Sequence, residues 1–334
     1  MHNRWHPGIP AALSVDPGEL VTLECQDGMA GLITRESVHA DCARLDLGLA
    51  HPLAGPVEVR GAQPGDLLEV EFVEYASAAL GVTAVIPGFG FLADVFTEPY
   101  LVLWEIEGGH ARTEALPGVA VPEELFAGVV GVAPSPQRLE QLRRRERLIA
   151  ERGGPVAEEA PESAVPPEAA AGLRTIPPRE LGGNLDIRQL VAGSRLFLPV
   201  DVPGALFSIG DLHYAQGDGE VCGTAIEVAG SASLRFRLHR GEGAARRFPA
   251  YETPARPGRR CFATTGIPVD DPMDITVAAR EALLGMIDHL VATRGFEPAA
   301  AYALCSVAVD LRLSEVVDVP YPIVSALLPL DIFA

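Results

Sequence analysis

The stretch Pro203-Gly-Ala-Leu-Phe-Ser-Ile-Gly-Asp-Leu-His-Tyr-Ala-Gln-Gly-Asp-Gly-Glu-Val-Cys-Gly-Thr-Ala-Ile-Glu227 decides how this chain reads. It opens as an apolar, strand-like run, Ala205 to Ile209, and then turns polar. Asp211 and His213 stand two residues apart, so on extended backbone both side chains face the same side. Asp218 lies between Gly217 and Gly219; glycine accepts positive φ without steric cost, so a tight turn is expected there. Val221 to Ile226 is expected to return as a strand, with Glu220 and Glu227 near its ends. The predicted unit is a hairpin carrying one imidazole and four carboxylates within 17 residues. Acids crowded in this way repel unless a cation or a shared proton relieves them. One reading is a metal or acid/base site; the other is a solvated polar hairpin.

Outward from this hairpin the chain is rich in strand patterns. Ala12 to Glu24 alternates around the turn Asp16-Pro-Gly18, Pro56 to Arg60 reads as extended, and Leu67 to Glu74 alternates for eight residues. Asp27, His39, Asp41 and His51 fall in or beside loops, where an ordinary surface role is the simplest reading of each. Ile86-Pro-Gly-Phe-Gly-Phe91 reads equally as a loop lining an apolar pocket, with Phe89 at its centre, and as a buried connection. Tyr100 to Glu107 is a further strand. Residues 1–136 therefore form an N-terminal β-rich region.

Gln137 to Arg152 is helix-like, and its run of arginine and glutamate reads as a solvated face. Gly153 to Pro178 is rich in Pro, Ala and Glu without apolar periodicity, so 137–178 reads as a charged helix followed by a loosely packed linker or lid. Residues 179–334 form a C-terminal β-rich region carrying the hairpin. Its entry, Leu181-Gly-Gly-Asn-Leu-Asp186, presents Asn184 and Asp186 after two glycines, which implies close backbone approach. Gly193 to Asp201 and Ser233 to His239 read as strands. Asp274 to Arg294 is the clearest helix, with Asp274 as N-cap and Gly295 as C-terminal stop. A short helix over Glu297–Ala303, a strand over Ser306–Leu313 and a docked apolar tail over Val324–Phe333 complete the reading. The fold class expected is mainly β, with sandwich-like or barrel-like units and a few attached helices. There is no βαβ alternation and no GxGxxG, so no Rossmann unit is expected.

Composition excludes several functions. The 334 residues carry a net charge of −19, which argues against nucleic-acid binding. No apolar run reaches membrane-spanning length, and the N-terminus lacks a signal-peptide pattern, so the expected location is the cytoplasm. Five scattered cysteines without a CxxC suggest free thiols. All 26 basic residues are arginine. With no lysine, amidases built on Cys-Glu-Lys or Ser-Ser-Lys, Schiff-base chemistry and a P-loop are all ruled out.

Taken together, several motifs resemble the acetamidase/formamidase family of amide hydrolases. They are His2 with Trp5; Val15-Asp-Pro-Gly-Glu19; His51-Pro-Leu-Ala-Gly-Pro-Val57; Gly61-Ala-Gln-Pro-Gly-Asp66; Pro87-Gly-Phe-Gly90; Gly131-Val-Ala-Pro134; and Gly182-Gly-Asn-Leu-Asp186. The most specific is Gly210-Asp-Leu-His-Tyr-Ala-Gln-Gly-Asp-Gly-Glu220 followed by Gly223-Thr-Ala-Ile-Glu227, and Ala301 to Asp310 is similar to the family's C-terminal part. The resemblance implies hydrolysis of short aliphatic amides to carboxylate and ammonia, a divalent metal (zinc, with calcium as a second ion) and a homo-oligomer. Two departures are a long 137–178 segment and Tyr214, where a smaller residue is expected; Phe89 and Tyr214 are the candidate substrate-contacting side chains.

An unactivated amide needs a strong nucleophile and a protonated leaving nitrogen. Zinc supplies the first by lowering the pKa of bound water towards about 7. Asp211 and His213 are the central ligand candidates, with Asp27, His51 and Asp186 competing for the remaining positions. Glu220 is the candidate general base and then acid, and Asn184 the candidate partner of the substrate carbonyl or its oxyanion. A rival mechanism makes Cys222 the nucleophile. A noncatalytic β-sandwich with a structural calcium would use oxygen ligands only and leave His213 outside.

Overall fold

The computed structural model describes all residues except 246, 255–259, 297, 299, 300, 302–308 and 331–334. Most of the expected helix over 297–303, most of the family-like segment 301–310, the start of the predicted strand over 306–313 and the end of the tail lie outside the described residues. Within them the chain is mostly β and contains no Rossmann unit. A 16-stranded, heavily bent sheet is organised by one 19-residue strand, Leu67–Val85. This strand pairs with Arg195–Pro199 at its start and with Tyr100–Glu107 at its end, and along its length with Glu227–His239. The eight-residue alternation read at Leu67–Glu74 is only its first half. Its pairing with Glu227–His239 shifts register twice, once between Phe72 and Glu74 and once between Ser77 and Gly81.

The strand Phe207–His213 is buried at every residue. It lies between Phe126–Val132 on one side and both Leu53–Val59 and the start of Glu227–His239 on the other. Strand Gly182–Asn184 pairs with Phe126–Val132, so Asp186 emerges beside the same strand end. Both β-rich regions thus supply neighbouring strands to one sheet. Val15, Phe72, Phe126, Leu212, Phe236 and Tyr321, drawn from the whole length of the chain, share one apolar core.

The returning strand begins at Glu227, not at Val221. Residues 215–226 form an irregular turn in which Glu220 and Gly223 have positive φ and Val221 is exposed. The apolar residues that suggested a strand cover a loop instead.

Helix α1 (Pro136–Glu151) starts at Ser135, whose side chain accepts from the Arg138 amide. Its charges are not all solvated. Arg145 donates twice to Glu180, at 2.6 and 3.1 Å, and Arg179 donates twice to Glu146, at 2.7 and 3.1 Å. The Arg145-Glu146 and Arg179-Glu180 pairs therefore cross-match, an arrangement that helical periodicity alone does not display. Residues 153–178 lie against the N-terminus. Arg4 and Trp5 pair with Arg174 and Leu173, and the Val165 amide donates to Asn3.

Helix α2 (Ile275–Arg294) is capped by Asp274, which accepts from Thr276 and Val277, and ends at Gly295 with φ +67. Ala278, Ala282, Met286 and Leu290 pack on strands Cys261–Gly266 and Ile323–Pro329 in a second core. No helix among the described residues is long and apolar enough to cross a membrane.

Candidate active site

Where Phe207–His213 ends, the strand register decides the chemistry. His213 is paired directly with Glu227, and Asp211 projects beside them from the same strand. His213 Nε2 stands 3.3 Å from Glu227 Oε1, 3.4 Å from Asp211 Oδ2 and 3.9 Å from Glu220 Oε1. Asp186 Oδ1 approaches the other ring nitrogen at 3.8 Å. Two triads, Asp211–His213–Glu227 and Asp186–His213–Glu220, each place ligand-type atoms within 4.8 Å of one another. Asp318 and Glu315 lie behind them. Asp318 accepts from Asn184 Nδ2 at 2.6 Å, and Glu315 accepts from the Val317 and Asp318 amides.

All six carboxylates and His213 are buried, none more than 6% exposed. Among the described residues no arginine pairs with any of the six, and the chain has no lysine. Burial, joined by repulsion from Asp318, pushes Asp186 well above the usual carboxylate range; burial and Asp186 do the same to Glu220. Glu227, Glu315 and Asp318 are also raised, in each case chiefly by burial. Asp211 is the exception. Burial would raise it, but His51 and His213 outweigh that and hold it ionised. Burial opposes a charged His213, yet Glu227 and Asp211 raise its pKa well above the ordinary value. Burial lowers the His51 pKa from its ordinary value, while Asp211 at 3.9 Å pulls in the opposite direction. Without a cation, the acids accommodate one another only by taking up protons.

The backbone is strained where these acids sit. Asp186, Asp211 and Glu220 have φ of +45, +58 and +44, three of the eight described non-glycine residues with positive φ. Such conformations cost about 1–3 kcal/mol each and persist only where the surroundings enforce them. Two glycines make room for the cluster. A Cβ at Gly128 would lie 2.4 Å from Asp186 Oδ1, and one at Gly28 would lie 2.0 Å from Asp211 Oδ1.

The acids floor a cavity of about 50 Å³. Its mouth is apolar, formed by Met29, Leu32, Leu47, Ile86, Phe89 and Ile176. At roughly 10–15 Å³ per solvent-sized group, the space holds a few non-hydrogen atoms. Several buried polar atoms at or beside the floor have no protein partner: both oxygens of Asp186, Asn184 Oδ1, Glu227 Oε2 and Glu315 Oε1. Unsatisfied buried oxygens beside an imidazole are the donor set of a divalent cation with mixed N/O ligands, so the residues present fit the metal that the sequence resemblance implies.

The sequence matches the acetamidase/formamidase family over residues 1–334. The chain belongs to that family. It is accordingly a hydrolase of the carbon–nitrogen bond of linear amides. It is 35% identical to an acetamidase from Mycolicibacterium smegmatis over 86% of this chain and 81% of the relative. It is 34% identical to a formamidase from Methylophilus methylotrophus over 100% and 89%. Among solved structures, a gamma lactamase from Delftia acidovorans is 35% identical with a TM-score of 0.74, covering 99% of this chain and 89% of that one. An acetamidase from Bacillus halodurans is 26% identical with a TM-score of 0.79, covering 99% and 95%.

In this acetamidase/formamidase family member, Asp211, His213, Asp186, Glu220 and Asn184 come together, and His51 lines the same cavity. Asp27 stands apart from both triads. Its Oδ1 accepts from the Met29 and Gly31 amides, shaping the loop that presents Gly28 to Asp211. Phe89 is at the mouth, whereas Tyr214 is wholly buried in the main core and does not line the cavity. Asp218 leaves the site to accept from Gln189 and Arg312. Cys222 lines a separate hollow behind the 217–224 turn, where its thiol donates to the Thr224 carbonyl.

Sequence reasoning placed Glu227 at a strand end without a role, and overlooked Asp318, Glu315, Gln216, Gly28 and Gly128. The signal for Glu227 was hairpin register. For Glu315 and Asp318 it was two acids set in the otherwise apolar run Val316-Val317.

Proposed function

We propose that the protein hydrolyses short aliphatic amides to carboxylate and ammonia, using water activated at a divalent cation held by His213 and the surrounding acids. The observation that carries this reading is the set of buried carboxylates around one imidazole, with no arginine partner among the described residues and several oxygens unsatisfied. Asp211, His213 and Glu227 form one candidate ligand set, with Asp186 and His51 at its margin. A divalent metal there would lower the pKa of a water and polarise the substrate carbonyl.

The chain's own residues supply the rest. Glu220 lines the cavity and is the group proposed to take the proton from water and return it to the departing nitrogen. Burial, joined by repulsion from Asp186, raises its pKa well above the usual carboxylate range, the direction that favours the proton-donating half of that cycle. Asn184 is oriented by Asp318, which takes one Nδ2 hydrogen. The free Oδ1 can accept from a substrate NH2, and the second Nδ2 hydrogen remains for the carbonyl oxygen. The apolar mouth, with Phe89, excludes bulk water and favours small alkyl groups. The small cavity supports formamide- or acetamide-sized substrates, in keeping with the relatives named for those amides.

A purely structural calcium site is less well supported, since His213 lies among the carboxylates and not outside them. Cys222 as nucleophile has neither a place in the acidic cavity nor a hydrogen bond to a histidine or carboxylate. The deciding experiment measures ammonia release from formamide, acetamide, propionamide and a γ-lactam, using chelator-treated protein with and without zinc. Zinc-dependent release from the short amides is expected. Undiminished release after chelation would overturn the metal reading.

A further inference from the structure

Gln216 sits three residues beyond His213, in the turn, and is 7% exposed. Its Oε1 lies 2.8 Å from His213 Nδ1, and its Nε2 donates to the Asp186 carbonyl oxygen at 2.9 Å. A carbonyl oxygen can only accept, so the amide must turn its NH2 towards Asp186 and its oxygen towards the imidazole. An amide oxygen likewise can only accept, so Nδ1 must carry a hydrogen whether the ring is neutral or charged. The competing acceptor, Asp186 Oδ1, is 3.8 Å from Nδ1, beyond hydrogen-bond range. The nitrogen left to coordinate is Nε2, which faces Asp211, Glu220 and Glu227. Phe126 restrains the same ring edge-on, with centroids 5.0 Å apart and planes at 87°.

We propose that Gln216 is a positioning residue that fixes His213 with Nδ1 protonated and Nε2 directed into the acid cluster, so that the backbone of Asp186 sets the histidine's tautomer. This rests on the reading of His213 as a cation ligand. It also ties two sequence-distant motifs together: Gly182-Gly-Asn-Leu-Asp186 supplies both an acid to the site and, through its carbonyl, the orientation of the histidine.

The test uses 15N-histidine-labelled wild-type protein and Q216M, each chelator-treated and then titrated with zinc. In metal-free wild type, the His213 Nδ1 hydrogen should exchange slowly; in Q216M, which fills the space without accepting, it should exchange faster. Zinc should shift the Nε2 resonance in wild type, and Q216M should bind zinc about 10–100-fold more weakly, as for loss of a group that orients a metal-binding histidine. Zinc coordinating through Nδ1, or Q216M keeping both the slow exchange and the affinity, would overturn the proposal. Should Q216M not fold, the wild-type spectra alone still decide which nitrogen holds the hydrogen and which meets zinc. Wild-type protein that takes up no zinc defeats the cation reading; the Nδ1 hydrogen then judges the orientation separately, slow exchange supporting it and fast exchange overturning it.

Discussion

At Glu220 the proposed chemistry and the local backbone make the same demand. The residue is held at φ +44 with its carboxyl 3.9 Å from His213 Nε2, a conformation that serves no turn a glycine would not serve better. Glu220→Gln should keep the bound metal while turnover falls about 10²–10⁴-fold, the usual contribution of a general acid–base. Metal content and kcat measured on the same sample check this; near-normal kcat with full metal would remove Glu220 from the reaction. Cys222→Ser should retain turnover within a few-fold, because the thiol faces a different hollow and donates only to its own turn. Gly128→Ala is the opposite case. A methyl placed 2.4 Å from Asp186 Oδ1 and 2.8 Å from Asp211 Oδ2 must displace both carboxylates. Shifts of about 1 Å cost on the order of 100-fold in rate, so activity should collapse in a protein that still folds. Wild-type turnover in that variant would show that these two acids do not act together.

Among the elements, α1 is a strut, although its sequence reads as a solvated face. Arg145 reaches Glu180 with two hydrogen bonds, donates to the Tyr321 hydroxyl at 2.9 Å, and lies over the Tyr321 ring at 5.1 Å. It thereby joins the helix to the start of the Gly182–Asn184 strand and to the C-terminal region. The pair is half-buried, with side chains 20% and 14% exposed, so stranding the other charge should cost less than the roughly 3–5 kcal/mol of a fully buried pair. Arg145→Met should still lower Tm, and an unchanged Tm would show that the contact contributes nothing. The pH sign follows from Glu180. Burial alone would raise its pKa, but Arg145 lowers it below the ordinary 4.5. The stabilisation is therefore complete above pH 4.5 and is lost as pH falls through the lower folded-state value. The Tm difference between wild type and Glu180→Gln should be constant near neutrality and shrink in acid.

For the whole molecule, the acid cluster is a stability problem that the proposed cation would relieve. Its acids all come from the C-terminal region, but the N-terminal region packs against them through Gly28, His51 and Gly128, so relieving the repulsion should stabilise the sheet as a unit. Chelator-treated protein should melt at a lower temperature, and zinc at about 100 times its Kd should restore about 2.7 kcal/mol. Thermal unfolding followed with and without zinc tests this, and an identical Tm in both would count against a metal at this site.

Much of this could be read from the chain itself because local rules suffice for it. Alternation gave the strands at Leu67 and Tyr100, and Asp274 and Gly295 marked both ends of α2. The spacing of Asp211 and His213, with Gly-Gly before Asn184 and Asp186, pointed to the site. The rest depended on tertiary structure. Glu227 joins His213 only through strand register, and Asp318 reaches Asn184 across 134 residues. Gly128 matters only because of what packs against it, and α1's charges turn inward only because Arg179 and Glu180 await them. The physical reason is range. Turns, caps and alternation are set by neighbours a few residues apart, whereas a buried charge is tolerable or costly according to groups that only the folded sheet brings within 4 Å.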